Sequence, residues 1–424
     1  MRDKILSIYA VAIILGVLTG VVSGLFQLAI RDLNTLLREG YRSAGELGFS
    51  VGIISAITSM LMVFTALLMV KWIAPEAAGS GVQEIEGALL HERPIIWWRL
   101  IPVKFVGGML AISAKMVLGR EGPTIQMGGN LGAMLSEAFG FNPQRRDALI
   151  AAGSAAGLAA AFNAPLAGVL FVLEEMRNQF NFSYINFKTV AICCVASTVV
   201  LHLILGAQPA IPMAVFNLPG LPSLWIFFFL GLIVGITGLC FNILLMKSLF
   251  IIDKLSTTVR YGYVLFVGLL VGYIAYRYPA IVSGGYEIID SSITMSPTIS
   301  VLLFLMVARF IATLLCYTTG IPGGIFAPML ALGTLTGLAV SYFFQAMMID
   351  MSLYPGMLAV AGMGGLFAAV VRAPITGIVL VVEMTQNYAL ILPLMVACLT
   401  SSTVMQLTGN PPIYTQLLNR AKHA

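Results

Sequence analysis

The sequence predicts an all-α protein threaded many times through a membrane, and three observations carry that prediction. Hydrophobic residues fill 59% of the 424 positions and charged residues only 10%, against about 25% charged in an ordinary soluble domain. Apolar stretches recur along the chain at lengths suited to a bilayer. Glycine and proline break several of them at interior positions, where backbone outside a regular helix is tolerated only if protein or a cavity surrounds it.

Taken in order, Met1-Arg2-Asp3-Lys4 leads into an apolar stretch from Ile5 to Ile30. This stretch exceeds a signal-peptide core and has no small-residue cleavage pattern, so it is expected to remain as the first membrane helix. Arg31, Arg38 and Arg42 then mark a polar loop. Further apolar stretches cover about 49–70, 95–118, 122–139, 148–173, 189–217, 223–246, 262–276, 299–316, 324–347, 352–371 and 389–408. A clean crossing needs about 20 apolar residues. Stretches cut by Gly and Pro, notably Gly122 to Gly132 and Gly323 to Gly333, are expected to form half-spanning helices that meet inside the protein. Gln416 to Ala424 reads as a polar tail, with no regulatory domain appended to a single transmembrane unit over 1–424.

The net charge of +5 comes from a few groups at the ends of apolar stretches, which suits loops at anionic lipid headgroups. No basic patch interleaved with aromatics points to nucleic acid. Cys193, Cys194, Cys240, Cys316 and Cys398 lie inside apolar runs without metal-ligand spacing, so they read as small buried residues, with no disulfide, metal or cofactor expected.

An internal repeat organises the chain. Ala152-Gly153 through Asn163-Ala164-Pro165-Leu166-Ala167-Gly168 to Glu174 is echoed by Ala361-Gly362 through Arg372-Ala373-Pro374-Ile375-Thr376-Gly377 to Glu383, an offset of 209. Gly119, Pro123 and Gly128 are echoed by Gly324, Pro328 and Gly333, and Lys104-Phe105 by Arg309-Phe310, at an offset of 205. Two halves follow, about 5–217 and 221–415. Transporters built this way place the substrate where the halves meet, with helix ends pointing at it. Charge alone leaves the relative orientation of the halves open, because Arg31, Arg38 and Arg42 compete with Arg145 and Arg146 in the positive-inside count.

The chemistry concentrates in glycine-rich runs. Helix N-termini expose unpaired N–H groups and carry about half a positive charge, so they bind anions without a full cation nearby. Gly323-Gly324-Ile325-Phe326 can bring such amides close to an ion because glycine has no Cβ and permits unusual dihedrals. Ser80, in Gly79-Ser80-Gly81, offers a hydroxyl, although Gly-Ser-Gly is also a packing motif between membrane helices. In Gly119-Arg120-Glu121-Gly122-Pro123, a charged pair sits where charge costs roughly 2.5 to 3.5 kcal/mol to insert. Burial favours the neutral form of Glu121 while amides and Arg120 favour the carboxylate. Proton and anion thus become alternative ligands of one site. The alternative for this pair is a buried ion pair that fixes helix register.

Glu174 and Glu175 end a charge-free run from Ala148 to Leu173. Either acid can simply sit at the interface, as carboxylates at membrane helix ends commonly do; Glu383 repeats Glu174 in the other half, which suggests a structural role for Glu174 and leaves Glu175, opposite Met384, as the asymmetric acid suited to passing protons. Tyr414, in Pro411-Pro412-Ile413-Tyr414, either reaches back as a donor or anchors at the interface.

Together these runs resemble the CLC family of chloride channels and proton/chloride antiporters, most closely its bacterial antiporter branch. The similarity extends from about Gly79 to Tyr414 and rests on Gly79-Ser80-Gly81-Val82-Gln83-Glu84, Gly119-Arg120-Glu121-Gly122-Pro123, Gly324-Ile325-Phe326-Ala327-Pro328 and Tyr414. The resemblance implies halves of inverted topology around a midplane anion site. It also implies that the hydroxyls of Ser80 and Tyr414 and the amides of Ile325 and Phe326 hold a central chloride, beside Gly122 and supported by Arg120 and Gly324. Glu121 matches the family's external gate. Glu175 matches an inner proton-transfer acid that many channels replace, which favours antiport over the alternative, a passive chloride-selective channel. Ser80 points to chloride, where some members with Pro prefer nitrate. The family further implies a multi-pass homodimer with one pathway per subunit, in the bacterial inner membrane. Gln83 departs from a usual proline, which preorganises a helix start, and so leaves that helix boundary open.

An intramembrane hydrolase with Ser80 as nucleophile and His202 as base is the reading from another class. It lacks an orienting acid. Nucleotide-driven pumping lacks a phosphate-binding loop ending in Lys-Ser or Lys-Thr.

Overall fold

In the computed structural model, residues 2–177, 183–217, 219–295, 297–347 and 353–423 are described. The first half comprises α1 (Arg2–Glu46), α2 (Val51–Trp72), α3 (Val82–Leu89), α4 (Trp97–Ser113), α5 (Glu121–Ala138), α6 (Pro143–Phe162), α7 (Pro165–Glu175) and α8 (Tyr184–Leu205). The second comprises α9 (Leu224–Asp253), α10 (Thr257–Arg277), α11 (Tyr286–Met295), α12 (Ile299–Tyr317), α13 (Phe326–Ala346), α14 (Pro355–Val371), α15 (Pro374–Thr385) and α16 (Ile391–Leu407), and α17 (Ile413–His423) follows. Among the described residues, eight helices are long and apolar enough to cross a membrane.

Several sequence expectations change. The loop expected at Arg31, Arg38 and Arg42 is instead the C-terminal part of α1, a 45-residue helix that at 1.5 Å per residue far exceeds one perpendicular crossing. The charge-free run over 148–173 is two helices. It breaks because Asn163 takes a left-handed conformation, φ 54°, and Pro165 opens α7. The expected half-helices at Gly122 and Gly323 are longer than half-spans, at 18 and 21 residues. Their internal glycines pack rather than break the helix: a Cβ on Gly128 or Gly132 would strike the backbone of α6, and one on Gly333 or Gly337 would strike α14. The short elements are α3, α7, α11, α15 and α17, of 8 to 12 residues. The polar tail is mostly α17, which buries Tyr414, Leu417 and Leu418. Of the five cysteines, Cys240 is exposed on α9 while the other four are buried.

The halves repeat each other down to individual dihedrals. Left-handed residues recur in pairs: Gly79 and Ser283, Gly81 and Gly285, Lys115 and Gly320, Asn163 and Arg372. Gly153 on α6 meets Gly128, and Gly362 on α14 meets Gly333. The equivalent runs are also antiparallel, since Gly119 and Gly324 form an antiparallel bridge through N–H···O bonds of 2.7 and 2.8 Å. The second half is therefore the first turned over, and α5 and α13 point their N-termini at one another.

Two buried cations at equivalent positions shape the loops that reach this meeting point. On α4, Lys104 Nζ donates to the carbonyls of Ala77 at 3.0 Å and Gly79 at 2.7 Å. On α12, Arg309 donates through Nη1 to Ala280 and Val282 and through Nη2 to Ser283, each at 2.9 Å. Both side chains are essentially inaccessible to solvent, and a buried charge persists only when it is hydrogen-bonded. Each cation thus folds a Pro-initiated loop around itself, one ending in Ser80 and the other in Tyr286.

Candidate functional site

Three chain segments converge where α5 and α13 begin. The loop of Gly79 is stitched to that of Gly323 by Gly79 N–H to Ile321 O at 3.2 Å and Gly323 N–H to Gly79 O at 3.0 Å. Small residues let the backbones close up. A Cβ on Gly122 would lie 2.5 Å from Ser80 Oγ, and one on Gly324 would lie 3.0 Å from the Gly122 nitrogen. Ser80, Glu121, Gly122, Gly324, Ile325 and Phe326 are all buried here.

Tyr414 enters from the far end of the chain. Its ring stacks on Phe326 with centroids 5.8 Å apart, and Phe326 also packs on Phe162, Phe171 and Phe367. The phenol is therefore buried at the start of α13, not anchored at an interface. Neither Tyr414 Oη nor Ser80 Oγ has a hydrogen-bond partner among the described residues. Leaving a buried donor unpaired costs about 1–3 kcal/mol. Two such hydroxyls beside a helix start, whose first N–H groups have no intrahelical acceptor, form a set of donors that fits an anion.

Gln83 resolves the helix boundary left open by the missing proline. The start of α3 is Val82, and Gln83 Oε1 accepts from the Gly81 N–H at 3.2 Å, so the glutamine side chain satisfies an amide at this helix start.

Glu121 opens α5 and is fully buried. Its Oε2 lies over Gly119 and has no hydrogen-bond partner among the described residues, with the Ala327 amide facing the carboxyl. Its Oε1 accepts from the Tyr286 hydroxyl at 2.5 Å. Arg120 is not paired with Glu121 but lies against the Tyr286 ring, 4.9 Å from its centroid. The register-fixing ion pair is thus replaced by a three-residue arrangement in which Tyr286 serves both neighbours.

Glu175 ends α7 and is buried. Facing it is Glu86 on α3, fully inaccessible and with both oxygens unpaired among the described residues. The adjacent Glu174 is engaged elsewhere, accepting from the N–H groups of Ile375 at 3.0 Å and Thr376 at 2.6 Å at the start of α15. His202 contacts Asn163 Oδ1 at 2.6 Å rather than Ser80, which removes the serine–histidine reading.

Sequence reasoning missed Tyr286 and Glu86. The signal for Tyr286 was the repeat itself, since Val282-Ser283-Gly284-Gly285-Tyr286 follows Pro279 as Ala78-Gly79-Ser80-Gly81-Val82 follows Pro75. For Glu86 the sequence offers no comparable signal, because its burial on α3 comes from the fold.

Two inverted halves that meet at the buried starts of α5 and α13 define the class of this protein: a polytopic membrane protein built from inverted repeats. A family model described as voltage gated chloride channel matches residues 62–406, and the chain belongs to this family. It is 45% identical to an H(+)/Cl(-) exchange transporter ClcA of Vibrio parahaemolyticus, over 98% of this chain and 90% of that one. The corresponding transporter of Salmonella typhimurium is 42% identical, over 99% and 90%. A crystal structure of a slow cyanobacterial Cl-/H+ antiporter superposes with a TM-score of 0.94 at 37% identity, covering 98% of this chain and 97% of the other.

Proposed function

We propose that the chain is a secondary active transporter that exchanges chloride for protons across a bacterial inner membrane, working as a homodimer with one pathway in each subunit. The observation that supports the reading is that two acids, Glu121 and Glu175, are buried in the same interior as the unpaired hydroxyls of Ser80 and Tyr414.

In this mechanism a chloride sheds its water against Ser80 Oγ, Tyr414 Oη and the N–H groups of Ile325 and Phe326. These donors are neutral, so they hold the ion without trapping it. Gly122 and Gly324 keep the backbone close enough for that contact. The carboxylate of Glu121 competes with chloride for the same helix start. A proton arriving at Glu121 makes it neutral and frees the cradle for the anion, and departure of the proton returns the carboxylate. Glu175, with Glu86 beside it, carries protons between Glu121 and the opposite face. Arg120 stabilises the entrance against Tyr286 and leaves the gate free to move.

The test is parallel recording of chloride and proton flux on purified protein in liposomes. An imposed chloride gradient is expected to drive protons against their own gradient. Chloride flux with no linked proton flux would instead make the protein a passive chloride-selective channel.

A further inference from the structure

The geometry points to Tyr286 as a positioning residue that latches Glu121 in its inward-tucked position and so sets how often the pathway opens. This rests on the reading of Glu121 as gate, but not on proton coupling.

Four observations converge on it. The Tyr286 hydroxyl donates to Glu121 Oε1 at 2.5 Å, and a hydrogen bond to an ionised acceptor is about twice as strong as one between neutral groups. The other carboxyl oxygen, Oε2, has no hydrogen-bond partner among the described residues, so the phenol is the side-chain donor that fixes the carboxyl in place. The ring face seats Arg120 at 4.9 Å. That contact diverts from the gate the cation that would otherwise clamp it as an ion pair. Finally, Tyr286 has little freedom of its own. It is the first residue of α11, preceded by Gly285 at φ 113°, and its loop is tied to Arg309 by three hydrogen bonds of 2.9 Å. A further tie runs from the Ser283 N–H to Lys115 O at 2.9 Å.

The latch acts on the tucked state alone. When Glu121 leaves the start of α13, the bond to the phenol is left behind with the loop, which Arg309 holds fixed. The hydroxyl therefore raises the barrier to opening while the ring and Arg120 stay as they are. A single hydroxyl adjusts turnover without touching the anion cradle of Ser80 and Tyr414.

The experiment is a double-mutant cycle read in chloride efflux from liposomes. Tyr286→Phe keeps the ring and the Arg120 contact, and it is expected to speed chloride efflux about tenfold, the scale of one charge-assisted hydrogen bond. In a Glu121→Ala background the same substitution is expected to change nothing, because the carboxyl it acts through is gone. Unchanged or slower efflux in Tyr286→Phe would overturn the latch. An equal change in both backgrounds would also overturn it, since that is the signature of a structural effect. The cycle uses chloride alone, so an absence of linked proton flux in the parent protein would defeat the exchange reading and leave the latching role of Tyr286 intact.

Discussion

Glu174 and Glu383 cap each other's helices. Glu174, near the end of α7, accepts from the Ile375 and Thr376 amides and the Thr376 hydroxyl at the start of α15. Glu383, near the end of α15, accepts from the Leu166 amide at 3.2 Å and the Ala167 amide at 2.8 Å at the start of α7. The two helices are repeat equivalents lying antiparallel, so one exchange of carboxylates satisfies both N-termini.

These caps predict stability effects separable from transport. Glu174→Ala or Glu383→Ala is expected to cost roughly 1 kcal/mol, the usual loss when an N-terminal cap is removed. Thermal unfolding in detergent measures it, and the ratio of chloride to protons is expected to stay unchanged in both variants. A changed ratio would move Glu174 from the scaffold into the proton route.

Glu121→Gln is expected to imitate the protonated gate. Chloride should still pass while proton movement linked to it disappears, as read by simultaneous ion-selective recordings. Retained coupling would show that another group gates the pathway.

At the opposite end, Glu175→Gln should abolish proton flux and leave chloride passage. Glu86 sits against Glu175 without any hydrogen-bonded partner of its own among the described residues, and Glu86→Gln should slow protons while leaving chloride binding intact. Proton flux at the parent rate in Glu175→Gln would remove the inner acid from the mechanism.

The proposed anion cradle can be probed without flux. Ser80→Ala and Tyr414→Phe each delete one unpaired hydroxyl and should weaken chloride binding by about fivefold, near 1 kcal/mol for one hydrogen bond. Gly122→Ala, whose added methyl would collide with Ser80, should lose binding altogether. Isothermal titration with chloride distinguishes the two cases.

Lys104→Met should act on binding at a distance. It strips the carbonyls of Ala77 and Gly79 of their shared donor; Gly79 O keeps the Gly323 N–H, but Ala77 O is left as an unpaired buried acceptor, at a cost of about 1–3 kcal/mol. Both the unfolding midpoint and chloride affinity should fall, whereas a change confined to the midpoint would mean that the Ser80 loop holds its shape unaided.

How much of this was legible in the sequence follows from what kind of signal each feature leaves. Glu121, Ser80 and the start of α13 stood out because glycine runs and membrane-depth charge are rare and mark themselves. The spans of α2, α10, α12 and α16 followed from hydropathy with small errors at the ends. By contrast α3, α11 and α15 are too short to register as crossing stretches, and their burial by neighbours rather than by lipid leaves no length signal. The extension of α1 through Arg31 and Arg42 was hidden because polar residues read as a loop whenever a helix outlasts the apolar region. For Tyr286 the repeat marks the position but not the role. Its role depends on contact with a residue 165 positions away, and only the fold brings the two together.

The paired cations of α4 and α12 have a consequence for which residues the loops tolerate. Because each one grips main-chain carbonyls and no side chains, the residues of the gripped segment can vary without loosening its shape. Each half thus carries a rigid bracket of the same form. Side-chain changes at Ser80 and at Tyr286 are thereby separated from the shape of the backbone that carries them.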